Sequence, residues 1–258
     1  MHATADPRPG GATPVDPPGG PLRAAEIGEA HAIAPDTFVV PGWWPSPQPG
    51  LGLQVGTLLV RGAATAVVDT GLSLLGADWI STVCSLADPA DIRWVVLTGP
   101  DRARTGNLAL LRETCPEATV VAAGRGCVDI DLGGRALRLL TTRSSHLSVH
   151  VPDQDVLWTD LMAGPFDRPS PDLAGLTDDE ALAALALRSP QPDADRIERL
   201  SALGPRVLAS PLGPVARGAQ VARAFDLVRR AADGPRIDGA TLGTLIASCG
   251  PRPLEIQA

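Results

Sequence analysis

The apolar positions change period several times along the chain, and each change marks an element. Thr37-Phe-Val-Val-Pro41 is a short apolar run that predicts a strand. The Pro/Gly-rich stretch Gly42-Trp-Trp-Pro-Ser-Pro-Gln-Pro-Gly50 predicts a loop. Its adjacent Trp43 and Trp44 either line a ligand cleft or cap the core, and capping fits the usual burial of tryptophan better. Gln54 to Arg61 and Ala63 to Asp69 read as two strands turning at Gly62. Leu74 to Ala87 carries apolar residues at helical spacing, and Ile92 to Thr98 is a continuous apolar run expected of a buried strand. A short helix over Asn107 to Thr114 and another buried strand over Ala118 to Ala123 follow.

Beyond these, Val128 to Leu140 predicts a hairpin on Gly133-Gly134. Leu147 to Val151 and Asp155 to Thr159 predict a second hairpin, turning at Pro152-Asp153. Thr177 to Leu187 is helical, with Thr177 and Glu180 at capping-box spacing. A helix over Ala194 to Leu203, a strand over Arg206 to Ala209 and a helix over Gly218 to Ala232, closed by Gly234-Pro235, complete the pattern. One short helix and a tail are expected up to Ala258. Hairpins, strand–helix–strand, hairpins and strand–helix, in that order, imply two sheets with helices on their outer faces. A doubly wound sheet would alternate strand and helix throughout.

Residues 1–22 are rich in Pro and Gly and lack an apolar pattern, so they read as a disordered leader that includes His2. Residues 23–258 read as a single domain. The N-terminus has no signal-peptide core. No apolar run reaches the ~18 residues of a membrane span, so no membrane association is expected. A net charge of −7 argues against nucleic-acid binding, which needs clustered positive charge. Four scattered cysteines (Cys84, Cys115, Cys127 and Cys249) form no CxxC pair, consistent with reduced thiols in a bacterial cytoplasm. All 22 basic residues are arginine, so lysine chemistry is excluded, and the absence of tyrosine excludes a tyrosine acid. No GxSxG, HExxH or P-loop pattern occurs, and Gly124-x-Gly126 lacks the third glycine of a dinucleotide fingerprint.

Four passages, in their joint order and spacing, carry a resemblance: LLVRGAATAVVDTG (58–71), WVVLTGPDRARTGNLALLRE (94–113), DLGGRALRLLTTRSSHLSVHVPDQDVLWTDLMAG (131–164) and RVLASPLGPVARG (206–218). The stretch from Gln54 to Arg217 resembles the metallo-β-lactamase fold, and within it the oxygen-binding diiron domain of flavodiiron proteins. The resemblance implies an α/β (α+β) protein, a four-layered αββα sandwich. It also implies a centre of two iron or zinc ions held by histidines and carboxylates. The family's electron-delivering flavodoxin domain is expected to lie off this chain, and a homodimer is a further possibility that the family raises.

The ligand positions depart from the family. After the strand ending at Thr98, the motif His-x-His/Glu-x-Asp-His is matched by Gly99, Asp101, Ala103 and Arg104, of which only Asp101 can ligate. A further histidine position falls at Thr142. The bridging aspartate position falls at Leu161, one residue after Asp160, and the last histidine position is Leu212. Zinc and iron need three or four converging ligands. The expectation is therefore no metal and no other cofactor, with an Arg–Asp network in which Arg102 or Arg104 neutralises Asp69, Asp101 or Asp160. His146 and His150 sit at even spacing, on one face of a strand, and His146 is close enough in sequence to take part. Arg102, Arg104 and Arg143 are candidates for an anion pocket over the old centre.

The catalytic residues are not identifiable from the sequence. The expected role is a pseudoenzyme, a binding or regulatory module whose partner is a small anionic ligand or a protein. The alternative is a divergent hydrolase or oxidoreductase of the same superfamily that uses the cleft with a relocated or metal-free site.

Overall fold

The structure is a computed structural model, and it describes residues 25–46, 51–122, 129–141, 146–187 and 192–234. The expected leader with His2, the turn with Cys127, the loop with Thr142 and Arg143, and the tail with Cys249 lie outside the described residues. The chain opens with β1 (Glu26–Ile27), β2 (His31–Ala34), β3 (Thr37–Pro45), β4 (Gly52–Val60) and β5 (Thr65–Val68). Helix α1 (Gly76–Leu86) leads into β6 (Ile92–Leu97), and α2 (Arg102–Thr105) and α3 (Leu108–Thr114) lead into β7 (Thr119–Ala122). Then come β8 (Asp129–Asp131), β9 (Ala136–Thr141), β10 (Leu147–Val151), β11 (Val156–Trp158) and β12 (Pro165–Phe166). Helices α4 (Asp178–Ala186) and α5 (Ala194–Ser201), strands β13 (Val207–Ser210) and β14 (Gly213–Arg217), and α6 (Ala219–Asp233) complete it.

The strands form two sheets. The first runs β1-β3-β4-β5-β6-β7, with β12 added beside β4 and β2 beside β3; the second runs β14-β13-β11-β10-β9-β8. Pairing is parallel only where a helical crossover separates the strands: β5 with β6, β6 with β7, and β11 with β13. Alternate side chains of each strand enter different layers of core. Leu58, Val68 and Val96 of the first sheet meet Leu137, Val149 and Trp158 of the second. The other face of the first sheet, with Leu59 and Val95, packs on Trp79 of α1 and Leu111 of α3. Leu157 and Leu208 of the second sheet pack on Leu200 of α5 and Phe225 of α6. The result is the expected αββα order of layers.

Helix ends follow their sequence signals. Thr177 and Glu180 form the capping box of α4, and the Asp193 carboxylate accepts from the Arg196 N–H to start α5.

Three expectations are corrected. Strand β3 does not stop at Pro41 but continues through both tryptophans to Pro45, paired residue by residue with β4. Prolines normally interrupt a ladder. Here Gly56, opposite Pro41, turns its N–H to the Pro211 carbonyl (2.8 Å), so no β3–β4 bond needs an N–H from Pro41. Trp43 is buried against Leu157 and Leu161, as a core cap. The second correction concerns β7: expected to be buried, it is half-exposed, and among the described residues it is the edge of the first sheet, paired with β6. Strand β14 completes a hairpin with β13 where only a loop was expected. No helix among the described residues is long and apolar enough to cross a membrane.

Candidate functional site

The carboxyl ends of β5, β6 and β11 meet at one end of the sandwich, and the chain places charged side chains at each. Asp69 ends β5 with φ 59°, a left-handed conformation uncommon for a residue with a Cβ. Its N–H donates to the Val96 carbonyl (2.8 Å). Its carboxylate accepts from the Thr98 N–H (2.8 Å), the Thr98 hydroxyl (2.7 Å) and the Trp158 indole N–H (2.9 Å). One fully buried carboxylate therefore ties β5 to β6 and reaches across to β11 of the second sheet. Burial pushes its pKa up to about 6, opposed by Arg104 and these donors.

Asp101 caps the short α2, accepting from the Ala103 N–H (3.1 Å). It also pairs with the Arg104 guanidinium one turn on. Arg104 is buried, and its second terminal nitrogen lies 3.8 Å from Asp160. The Arg104 carbonyl accepts from the Thr70 N–H (2.7 Å) and hydroxyl (3.0 Å), which fixes α2 against the Asp69 loop. Burial disfavours the charge on Arg104, but Asp101, Asp160 and Asp69 together outweigh it and hold the guanidinium protonated.

Asp160 opens a single 3-10 turn after β11 and is itself buried. It accepts from Arg196, which reaches in from α5 and also bonds the Thr159 hydroxyl (3.3 Å) and the Ser148 hydroxyl (3.5 Å). His146 stands immediately before β10, with its ring nitrogens 3.9 Å from Asp101 and 3.8 Å from Asp160. Burial and then the Arg104 charge hold its pKa below the usual histidine value, against the pull of the two aspartates. The cluster is therefore a chain of alternating charge, Asp101–Arg104–Asp160–Arg196, with His146 on its flank and Asp69 beneath.

Of the expected site residues, Asp69, Asp101, Arg104, His146 and Asp160 converge, while Arg102 sits half-buried at the start of α2 and Thr142 lies outside the described residues. Arg104 is the arginine that occupies the centre. His150 does not join His146. It is buried on β10, both ring nitrogens lack a hydrogen-bond partner, and the charges it feels are Arg138 and Asp155. Arg196 was not anticipated. Its signal was a charged residue on the apolar stripe of α5, beside Ile197 and four residues before Leu200.

No family model matches the sequence, and no curated protein matches it. Solved structures do match it. The metal-soaked flavodiiron core from Synechocystis superposes with a TM-score of 0.70 at 18% identity, covering 81% of this chain and 62% of that one. Rubredoxin oxygen:oxidoreductase from Desulfovibrio gigas gives 0.65 at 19% identity, covering 80% of this chain and 62% of its own. A diflavin flavoprotein fragment from Nostoc gives 0.63 at 16% identity, covering 81% of this chain and 98% of the fragment. The fold is that of a flavodiiron core. The chain spans 62% of the length of the first two proteins, and at these identities the likeness concerns the fold.

The residues at the flavodiiron metal position do not fit a two-metal centre. Among the described residues, no group of three or more His, Cys, Asp or Glu side chains is arranged to hold a metal ion. Leu161 and Leu212 are packed into the core. Gly99 shows that the space itself has been reassigned. A Cβ there would lie 2.6 Å from the His146 ring and 3.0–3.1 Å from the Arg104 side chain, so the room a ligand at 99 would need is taken. At about 5 Å and an effective dielectric constant of ~20, a dication would be repelled by Arg104 by about 7 kcal/mol.

Proposed function

We propose that this chain is a flavodiiron-type domain that works without metal, as a binding or regulatory module rather than an enzyme. The observation that carries this reading is the Arg104 guanidinium, buried among Asp69, Asp101 and Asp160 where the family would place cations. A fixed cation on the chain compensates the retained acids, and Arg196 compensates the remaining oxygen of Asp160. Removing one partner of such a buried set costs far more than the set contributes, which explains why the charges persist as a group.

The arrangement offers no primed nucleophile. Asp101 caps α2 and pairs with Arg104, Asp160 is shared by two arginines, and His146 is held neutral at neutral pH between them. Arg104 and Arg196 are both engaged by carboxylates, so the old centre also makes a poor anion pocket, and the module's ligand or partner is to be sought on other surfaces. The test is elemental analysis of the full chain expressed with iron and zinc supplied. The expected result is no stoichiometric metal. Stoichiometric iron or zinc that disappears in Asp101→Ala would overturn the reading.

A further inference from the structure

Away from this cluster, the two sheets part along the edge formed by β1, β2 and β3 on one side and β14 on the other. A cavity of about 530 Å³ lies between them. Its volume falls in the range of small-molecule sites. The walls are apolar and stiff: Pro41 and Trp43 from β3, and Pro169 and Pro171 from the segment before α4.

The polar groups that face it are few and of defined character. Arg217, at the end of β14, projects into the cavity with its Nε buried and without a hydrogen-bond partner. That nitrogen lies 3.9 Å from the Asp172 carboxylate, and Nη1 donates to the Ala32 carbonyl (3.3 Å). His31, at the start of β2, also lines the cavity. Glu26 and Glu29 stand at the rim.

We infer that this cavity is a binding site for a small zwitterion with an apolar body, the class of hydrophobic amino acids. Three carboxylates against one guanidinium leave an excess of negative charge that an ammonium group answers. The Arg217 guanidinium, 40% exposed and held by Asp172 only at 3.9 Å, answers a carboxylate, for which its planar fork is suited. The tryptophan and proline walls take up the hydrocarbon. An amine alone would leave Arg217 with Asp172 at 3.9 Å as its counter-charge, and an acid alone would meet the rim carboxylates, so a ligand with both charges answers the site best.

The test uses the full chain and three probes sharing one hydrocarbon: L-phenylalanine, phenethylamine and 3-phenylpropionate, titrated calorimetrically. L-phenylalanine is expected to bind saturably and at least about tenfold more tightly than either singly charged analogue. Arg217→Met should weaken L-phenylalanine about tenfold while leaving phenethylamine within about twofold. Arg217 is partly exposed, and an unchanged melting temperature would show that the variant folds. Glu29→Gln, at the exposed rim, should weaken the two amines and spare 3-phenylpropionate. Absence of saturable L-phenylalanine binding, equal binding of all three probes, or L-phenylalanine binding indifferent to Arg217→Met would each overturn the inference.

Discussion

The sandwich carries the same chemical trio twice, and the two copies behave in opposite ways. At the β5–β6–β11 end, Arg104, His146 and the pair Asp101/Asp160 are packed together, and the Arg104 side chain is 3% exposed. At the β3–β14 edge, Arg217, His31 and Asp172 surround open space, and the Arg217 side chain is 40% exposed. In the first region each charge has its counter-charge on the chain, and the one unpaired donor of Arg104 and of Arg196, its Nε, is buried where no ligand reaches it. In the second the pairing is loose, the guanidinium is partly exposed and the walls are apolar. The identity of the residues does not decide between a structural cluster and a binding site. What decides is whether the surrounding backbone lets them close on one another, and Gly99 is what permits closure at the first.

The comparison can be broken most forcefully at Arg104. Arg104→Ala leaves the buried Asp69 without a nearby cation and strips one partner from Asp101 and from Asp160, and urea unfolding at neutral pH should show a loss of about 3–5 kcal/mol. The same variant should regain part of its melting temperature when zinc or manganese is added, since acids without their arginine accept a free cation. The unaltered chain should show no such gain. Arg196→Met strips one partner from Asp160 and should cost about 2–4 kcal/mol by the same measurement. Gly99→Ala tests closure itself: the added methyl meets the His146 ring, for an expected loss of about 1–3 kcal/mol.

The smallest expected effect is a gain. His150→Leu removes an imidazole whose buried nitrogens are unpaired, and should stabilise the fold by about 1 kcal/mol at neutral pH. It should also soften the acid limb. Burial holds the His150 pKa below the usual histidine value of 6.5, so protons go first to the unfolded chain and stability is lost as pH falls below about 6.5. Asp69 has the opposite sign. Raised from 3.8 to about 6, its contribution is full below 3.8 and is lost as pH rises towards 6. Urea midpoints measured from pH 4 to 7 should therefore climb more gently with pH in His150→Leu than in the unaltered chain.

Much of this was legible in the sequence, because the signals were local. The αββα order follows from runs of period two and 3.6, and the α4 capping box was readable as Thr177 and Glu180. The departure of Gly99, Ala103, Arg104, Leu161 and Leu212 from a ligand pattern needed only a count from Thr98 onwards. What escaped depends on tertiary contact. That β3 continues past Pro41 follows from Gly56 bonding to Pro211, a partner more than a hundred residues away. The central role of Arg104 rather than Arg102 is set by the helical phase of a four-residue α2. Arg196 enters the cluster from α5, 36 residues along the chain from Asp160, and nothing in its neighbours names that partner.

Asp69 has a last consequence. Its carboxylate stands at the end of the first sheet and receives the Trp158 indole from the second, so this side chain is one of the joints between the two halves of the sandwich. The Trp158 indole hydrogen can be traded for deuterium only when that joint opens. Its exchange rate should therefore report the free energy of parting the sheets at this end of the sandwich.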